Sequence, residues 1–156
     1  MSRSSVIGAE ALVPNPALKP LEFLIGEWST TGSHPMVRGK ILRGRTCFAW
    51  HEGGAFLIMR SEVDEPRFPS GLAIIGSDNV AGTFAMIYFD ERGVSRLLGV
   101  EVGERSVTWR RDDPEFAQSL TISAEGDDRL VSTGRMLKQG GPWTDDLSQV
   151  FERERS

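Results

Sequence analysis

Apolar and polar residues alternate along most of the chain in short runs, and turn-forming clusters interrupt those runs at nearly even intervals. From Gly26 onward the alternation predicts ten strands, at 27–34, 40–52, 55–64, 70–77, 82–90, 94–103, 105–112, 116–125, 129–138 and 143–153. The clearest breaks are Gly53-Gly54, Asp90-Glu91-Arg92-Gly93, Glu125-Gly126-Asp127-Asp128 and Gly140-Gly141-Pro142. Many short strands with tight turns and no intervening helical periodicity predict an all-β meander, and closing it into a single antiparallel up-and-down barrel removes its exposed edges. Residues 1–20 carry Pro14, Pro16 and Pro20 and read as an extended N-terminal arm. Residues 21–156 read as the barrel domain, entered through a short helical lead near residues 20–25.

The hairpin across Gly53-Gly54 tests its own register. A two-residue turn pairs Glu52 with Ala55, so every cross-strand pair has numbers summing to 107. Arg45 then faces Glu62 and Arg43 faces Asp64 on one side, while Trp50 faces Leu57 and Phe48 faces Met59 on the other. A slip of one residue would bury four charges, so the charged side is outward and the aromatic side inward. His51 points outward beside Phe56.

Extending the alternation gives a provisional interior. One inward face holds Phe116, Gln118, Leu120 and Ile122, and another Trp143, Asp145, Leu147, Gln149 and Phe151; Asp146, adjacent to Asp145, is assigned outward. Val107, Trp109 and Arg111 make a third face, and Phe84, Met86, Tyr88 and Asp90 a fourth. A barrel of this size has room for one small ligand, and a few polar groups on an apolar wall orient it.

Composition narrows the partners. The chain has 156 residues, 39% of them hydrophobic, and a formal charge of −4. No basic cluster exceeds Arg110-Arg111, which argues against nucleic acid and anionic membrane. The longest apolar runs are too short to cross a bilayer as a helix, and residues 1–5 lack a secretory h-region. The single Cys47 cannot form an internal disulfide. Together these features lead us to expect a cytoplasmic protein. Outward Phe56 and Ile58 beside His51 and Ala49 form an apolar strip suited to a homodimer contact.

The opening Gly26-Glu27-Trp28, the ten-strand meander and the closing Phe151-Glu152-Arg153 resemble the lipocalin-like, or calycin, barrels. That resemblance implies that Trp28 packs against Arg153 at a closed end. The segment 21–153 is also similar to an uncharacterised bacterial family of such barrels, through Trp50-His51-Glu52-Gly53-Gly54-Ala55-Phe56-Leu57 and Tyr88-Phe89-Asp90-Glu91-Arg92-Gly93 among other phrases. A more distant similarity, through Phe23-Leu24-Ile25-Gly26-Glu27-Trp28 and His51-Glu52-Gly53, is to nitrobindin, and it implies haem. Nitrobindin ties its iron to a last-strand His, whereas no His follows His51 here. No cofactor is therefore expected. No metal is expected either, because His34 and His51 fall on different strands without clustered partners.

Two functions follow. In the first, the lumen binds a small hydrophobic or amphipathic metabolite, with Trp50, Met59, Trp109, Gln118 and Trp143 as ligand-binding residues. In the second, the barrel is an enzyme for isomerisation, cyclisation or hydration, with Tyr88, Arg111 and Asp145 as catalytic residues. A purely structural account pairs Arg111 with Asp145, since neither tolerates burial alone. The indoles equally serve as core.

Overall fold

The computed structural model describes residues 12–155. Ten strands follow one another: β1 (Gly26–Ser33), β2 (Leu42–His51), β3 (Phe56–Val63), β4 (Gly71–Asp78), β5 (Thr83–Asp90), β6 (Ser95–Gly103), β7 (Ser106–Arg111), β8 (Phe116–Ala124), β9 (Arg129–Lys138) and β10 (Trp143–Arg153). Each pairs antiparallel with its sequence neighbour, and β1 pairs with β10 to close the barrel. The up-and-down barrel expected from the turn spacing is the fold, and no strand end differs from expectation by more than two residues.

The β2–β3 ladder has the register that charge alternation requires. Arg45 opposes Glu62, Phe48 opposes Met59, and Trp50 opposes Leu57. The turn is longer than the two residues expected. His51 and Phe56 form the last ladder pair, and the His51 carbonyl accepts from the N–H groups of Gly54 and Ala55. Glu52, Gly53 and Gly54 all adopt positive φ, at 51°, 69° and 94°, a run that the two glycines make affordable. Arg45 takes Glu154 rather than Glu62 as its ionic partner, at 2.6 Å.

A 3₁₀ helix, Pro16–Leu24, covers one end of the barrel. Leu18, Leu21 and Leu24 recur every third residue, which a three-residue turn places on one face, and all three are fully buried. Asn15 caps the helix by accepting from the Ala17 N–H, and its own N–H donates to the Gly54 carbonyl, locking the helix to the β2–β3 turn. The expected arm therefore gives way to a cap from Pro16 onward. Residues 1–11 of that arm lie outside the described residues.

Below the cap, Trp28, Phe48, Leu57 and Ile75 fill the lumen. The Trp28 indole N–H donates to the Leu24 carbonyl at 2.8 Å, tying β1 to the helix. This end is a packed core. The opposite end, where β1 finishes and β2 begins, is spanned by a single 3₁₀ turn, Pro35–Val37, and by the strand connections.

Candidate functional site: the open end of the lumen

The open half of the barrel encloses a cavity of about 500 Å³. Its deep wall is apolar and buried, formed by Met59, Met86, Leu98, Trp109, Ile122 and Phe151. These are inward positions of β3, β5, β6, β7, β8 and β10, so the wall draws on more than half of the strands. The polar groups gather toward the mouth.

The first polar cluster joins β10 to the turn at the mouth. His34 Nε2 lies 3.0 Å from Asp146 Oδ1, and Gln118 Nε2 donates to Asp146 Oδ2 at 3.3 Å. The Met36 N–H donates to His34 Nδ1 at 3.0 Å. With Nδ1 accepting, the neutral imidazole carries its hydrogen on Nε2 and donates it to the carboxylate. Both ring nitrogens are thereby engaged, and Phe68 packs against the ring edge, 5.2 Å between centroids.

Asp146 reaches the lumen because β10 is irregular. The β9–β10 ladder shifts register between Asp145 and Ser148, so inward and outward positions exchange there. Backbone groups freed by the shift find side-chain partners. The Leu147 N–H donates to Asp146 Oδ1 and the Gln149 N–H to Ser132 Oγ.

The second cluster is Tyr88–Asp90–Arg92. Tyr88 donates to Asp90 Oδ2 at 2.9 Å, and Arg92 Nη2 donates to the same oxygen at 2.7 Å. Gly71 makes room for this: a Cβ there would lie 2.7 Å from the phenol ring. Burial and the Asp90 carboxylate push the Tyr88 hydroxyl up to about 12. The Arg92 hydrogen bond lowers the Asp90 carboxyl to about 2. Tyr88 is thus a protonated donor at neutral pH, not a base.

Four cations line the mouth: Arg67, Arg92, Arg96 and Lys138. Arg67 binds Glu65, which Lys40 also reaches, and these partners lower the Glu65 carboxyl to about 2. Arg92 is bound to Asp90. Among the described residues, Arg96 and Lys138 have no carboxylate partner.

No family model matches the sequence, and no curated protein matches it. Solved structures do. The structure of Rv2717c from M. tuberculosis superposes with a TM-score of 0.65 at 20% identity, over 90% of this chain and 98% of that one. EF1p2_mFAP2b bound to DFHBI superposes with a TM-score of 0.46 at 9% identity, over 87% and 98%. The likeness is one of fold.

The sequence-derived candidates separate in space. Met59, Tyr88, Trp109 and Gln118 line the cavity. Trp50 packs on the core nearer the capped end and does not border it. Trp143, expected inward, lies outside the cavity wall, with Arg110 stacked 5.6 Å from its ring centre. Asp145, also expected inward, is exposed, and Asp146 takes the lumen position. Arg111 sits at the β7–β8 turn, donating to the Phe116 carbonyl at 3.1 Å and lying 3.6 Å from Asp113. Tyr88, Arg111 and Asp145 therefore do not share a cavity, and Arg111 does not pair with Asp145.

The sequence pattern assigns no lumen role to His34, Asp146 or Arg96. The adjacent Asp145-Asp146 pair was the one available signal for the second of these, and choosing between them required knowing the bulge.

For the haem implied by the nitrobindin resemblance, neither histidine presents a free ring nitrogen to the lumen. His51 is exposed and stacks on Phe56 outside the cavity, 6.0 Å between ring centres. His34 faces the cavity with both nitrogens already hydrogen-bonded. Among the described residues no three His, Cys, Asp or Glu side chains cluster to hold a metal ion.

Proposed function

We propose that the protein binds a small hydrophobic or amphipathic metabolite in the open half of its barrel. The observation that carries this reading is the cavity itself, an apolar wall about 500 Å³ in capacity ending in a polar mouth. A packed core needs no such space, and natural interiors keep few voids larger than a water. Met59, Trp109 and Gln118 supply ligand contacts, and the lipocalin-like motifs of the sequence agree with a carrier. The test is native mass spectrometry of protein purified without denaturant. An adduct of a few hundred daltons that organic extraction removes is the expected result. A bare polypeptide mass, together with no thermal shift by apolar probes, overturns the reading.

The protein works in the cytoplasm as a homodimer, with no nucleic-acid or membrane partner. The net charge and single cysteine support the location, and among the described residues no helix is long and apolar enough to cross a membrane. Phe56, Ile58 and Ala49, expected to form the contact strip, are half-buried. Two more exposed apolar side chains, Ile87 and Leu97, lie on β5 and β6. Ile58, Ile74, Ile87 and Leu97 are successive register partners across the outer face of β3–β6, and Leu97 is 72% exposed. That rung supports a contact centred on β5 and β6.

A further inference from the structure

We propose that the ligand is an amphipathic organic acid whose carboxylate is held at the mouth by Arg96 and Lys138. This rests on the lumen being a ligand site and goes further by naming the ligand's charge and its orientation. The chain as a whole is acidic, at −4, yet the four cations of the cavity wall exceed by one the carboxylates facing them, Asp146 on the wall and Glu65 and Asp90 behind it. That reversal of sign is local to the mouth. Two of the cations are satisfied by Glu65 and Asp90, which leaves Arg96 and Lys138 as uncompensated charge.

Arg96 is the central group. It extends inward from β6, half-buried, opposite Tyr88 in the ladder. Its guanidinium lies 5.8 Å from the Phe116 ring centre, and Nη1 donates to the Ser95 carbonyl at 3.2 Å. A guanidinium has five N–H donors, and the remaining four have no protein acceptor among the described residues. Lys138 is the register partner of the same Phe116 on β9, and both border the cavity. A planar carboxylate matches the guanidinium fork.

Asp146 fixes the direction of approach. Its oxygens already accept from His34, Gln118 and the Leu147 N–H, and its charge repels an anion from the β10 side. The head group therefore sits on the β6–β9 side of the mouth. The apolar body points down the lumen toward Met86, Leu98 and Ile122.

The experiment compares cis-parinaric acid with its methyl ester by fluorescence titration, in the wild type and in Arg96→Met and Lys138→Met. Acid and ester share one apolar body and differ in charge. The wild type is expected to prefer the acid by about tenfold or more, as a charge-assisted hydrogen bond warrants. Arg96→Met should erase that preference by weakening the acid more than the ester, and Lys138→Met should reduce it. Salt should weaken acid binding and spare the ester, which keeps the test decisive if Arg96→Met does not fold. Equal binding of acid and ester overturns the head-group assignment alone. Failure of both to bind overturns the lumen reading with it.

Discussion

The guanidinium carbon of Arg153 lies 4.2 Å from the centre of the Trp28 ring, and Nη1 donates to the Ile25 carbonyl at 2.7 Å. The same side chain donates to the Asp127 carbonyl through Nε and Nη2. One residue of the last strand thus fastens the first strand, the end of the cap and the β8–β9 turn. Arg153→Met should cost about 2 kcal/mol, from a cation–π contact and charged hydrogen bonds lost together. Gly26→Ala should do similar damage, since its Cβ would fall on Arg153 Nη1 and its φ is 140°. Urea unfolding curves of the two variants check both, with cavity ligand affinity unaffected because the cavity lies at the other end.

The register shift in β10 makes adjacent aspartates unequal. Asp146→Asn should destabilise by about 1–3 kcal/mol, because His34 and Gln118 lose a charged acceptor at a half-buried site. Asp145→Asn, on the exposed side, should stay within about 0.5 kcal/mol. Thermal melts compare them, and the ¹⁵N shifts of His34 should change only in the first. Equal effects would mean that the ladder is regular and Asp145 faces in.

Tyr88 is the single tyrosine of the chain, so its titration can be read without interference. Phenolate absorbance near 295 nm should rise around pH 12 rather than at the ordinary 10. The folded value is raised, so this group's contribution to stability is fully present below pH 10 and is lost as pH climbs through 12. Asp90→Asn should bring the midpoint part of the way back, because burial, the larger cause, persists. A midpoint at the ordinary value in protein that circular dichroism shows to be folded would place the phenol in solvent.

The outer rung of β3–β6 leads to a test of assembly. Light scattering should give a dimer at about tens of micromolar, a concentration at which modest interfaces form, and Leu97→Glu should return it to monomer. A wild-type monomer at that concentration removes the homodimer.

What could be read from the sequence and what could not divide along a physical line. Turn spacing and alternation depend on neighbours in sequence, so all ten strands were legible, as was the β2–β3 register, where four charges forbid a slip. The pairing of Trp28 with Arg153 came from the motif resemblance. The cap was hidden because Pro14, Pro16 and Pro20 mimic an extended arm, although Leu18, Leu21 and Leu24 already had a three-residue period. The site was legible only where strands are regular. Met59, Tyr88, Trp109 and Gln118 were placed by parity, whereas the β10 shift reversed Trp143 and Asp145. Arg111 has inward parity but sits at a strand end, where the β7–β8 turn supplies nearer partners.

Met59 offers a way to separate the cavity from the fold that encloses it. Its side chain is 8% exposed, on the inner face of β3, with the open lumen in front of it. An indole placed there projects into space that a ligand body would use. Met59→Trp should therefore abolish binding of cis-parinaric methyl ester, which lacks a head-group charge and depends on the apolar wall. The fold should persist, because overpacking typically costs about 1–3 kcal/mol and the empty lumen gives the larger side chain somewhere to go. Ser61, another cavity-wall residue of β3, lies nearer the mouth, so Ser61→Ala should leave ester binding intact and serve as the matched control. Retained binding in a folded Met59→Trp protein would show that the ester sits somewhere other than the lumen, and the site would then have to be sought on the outer face.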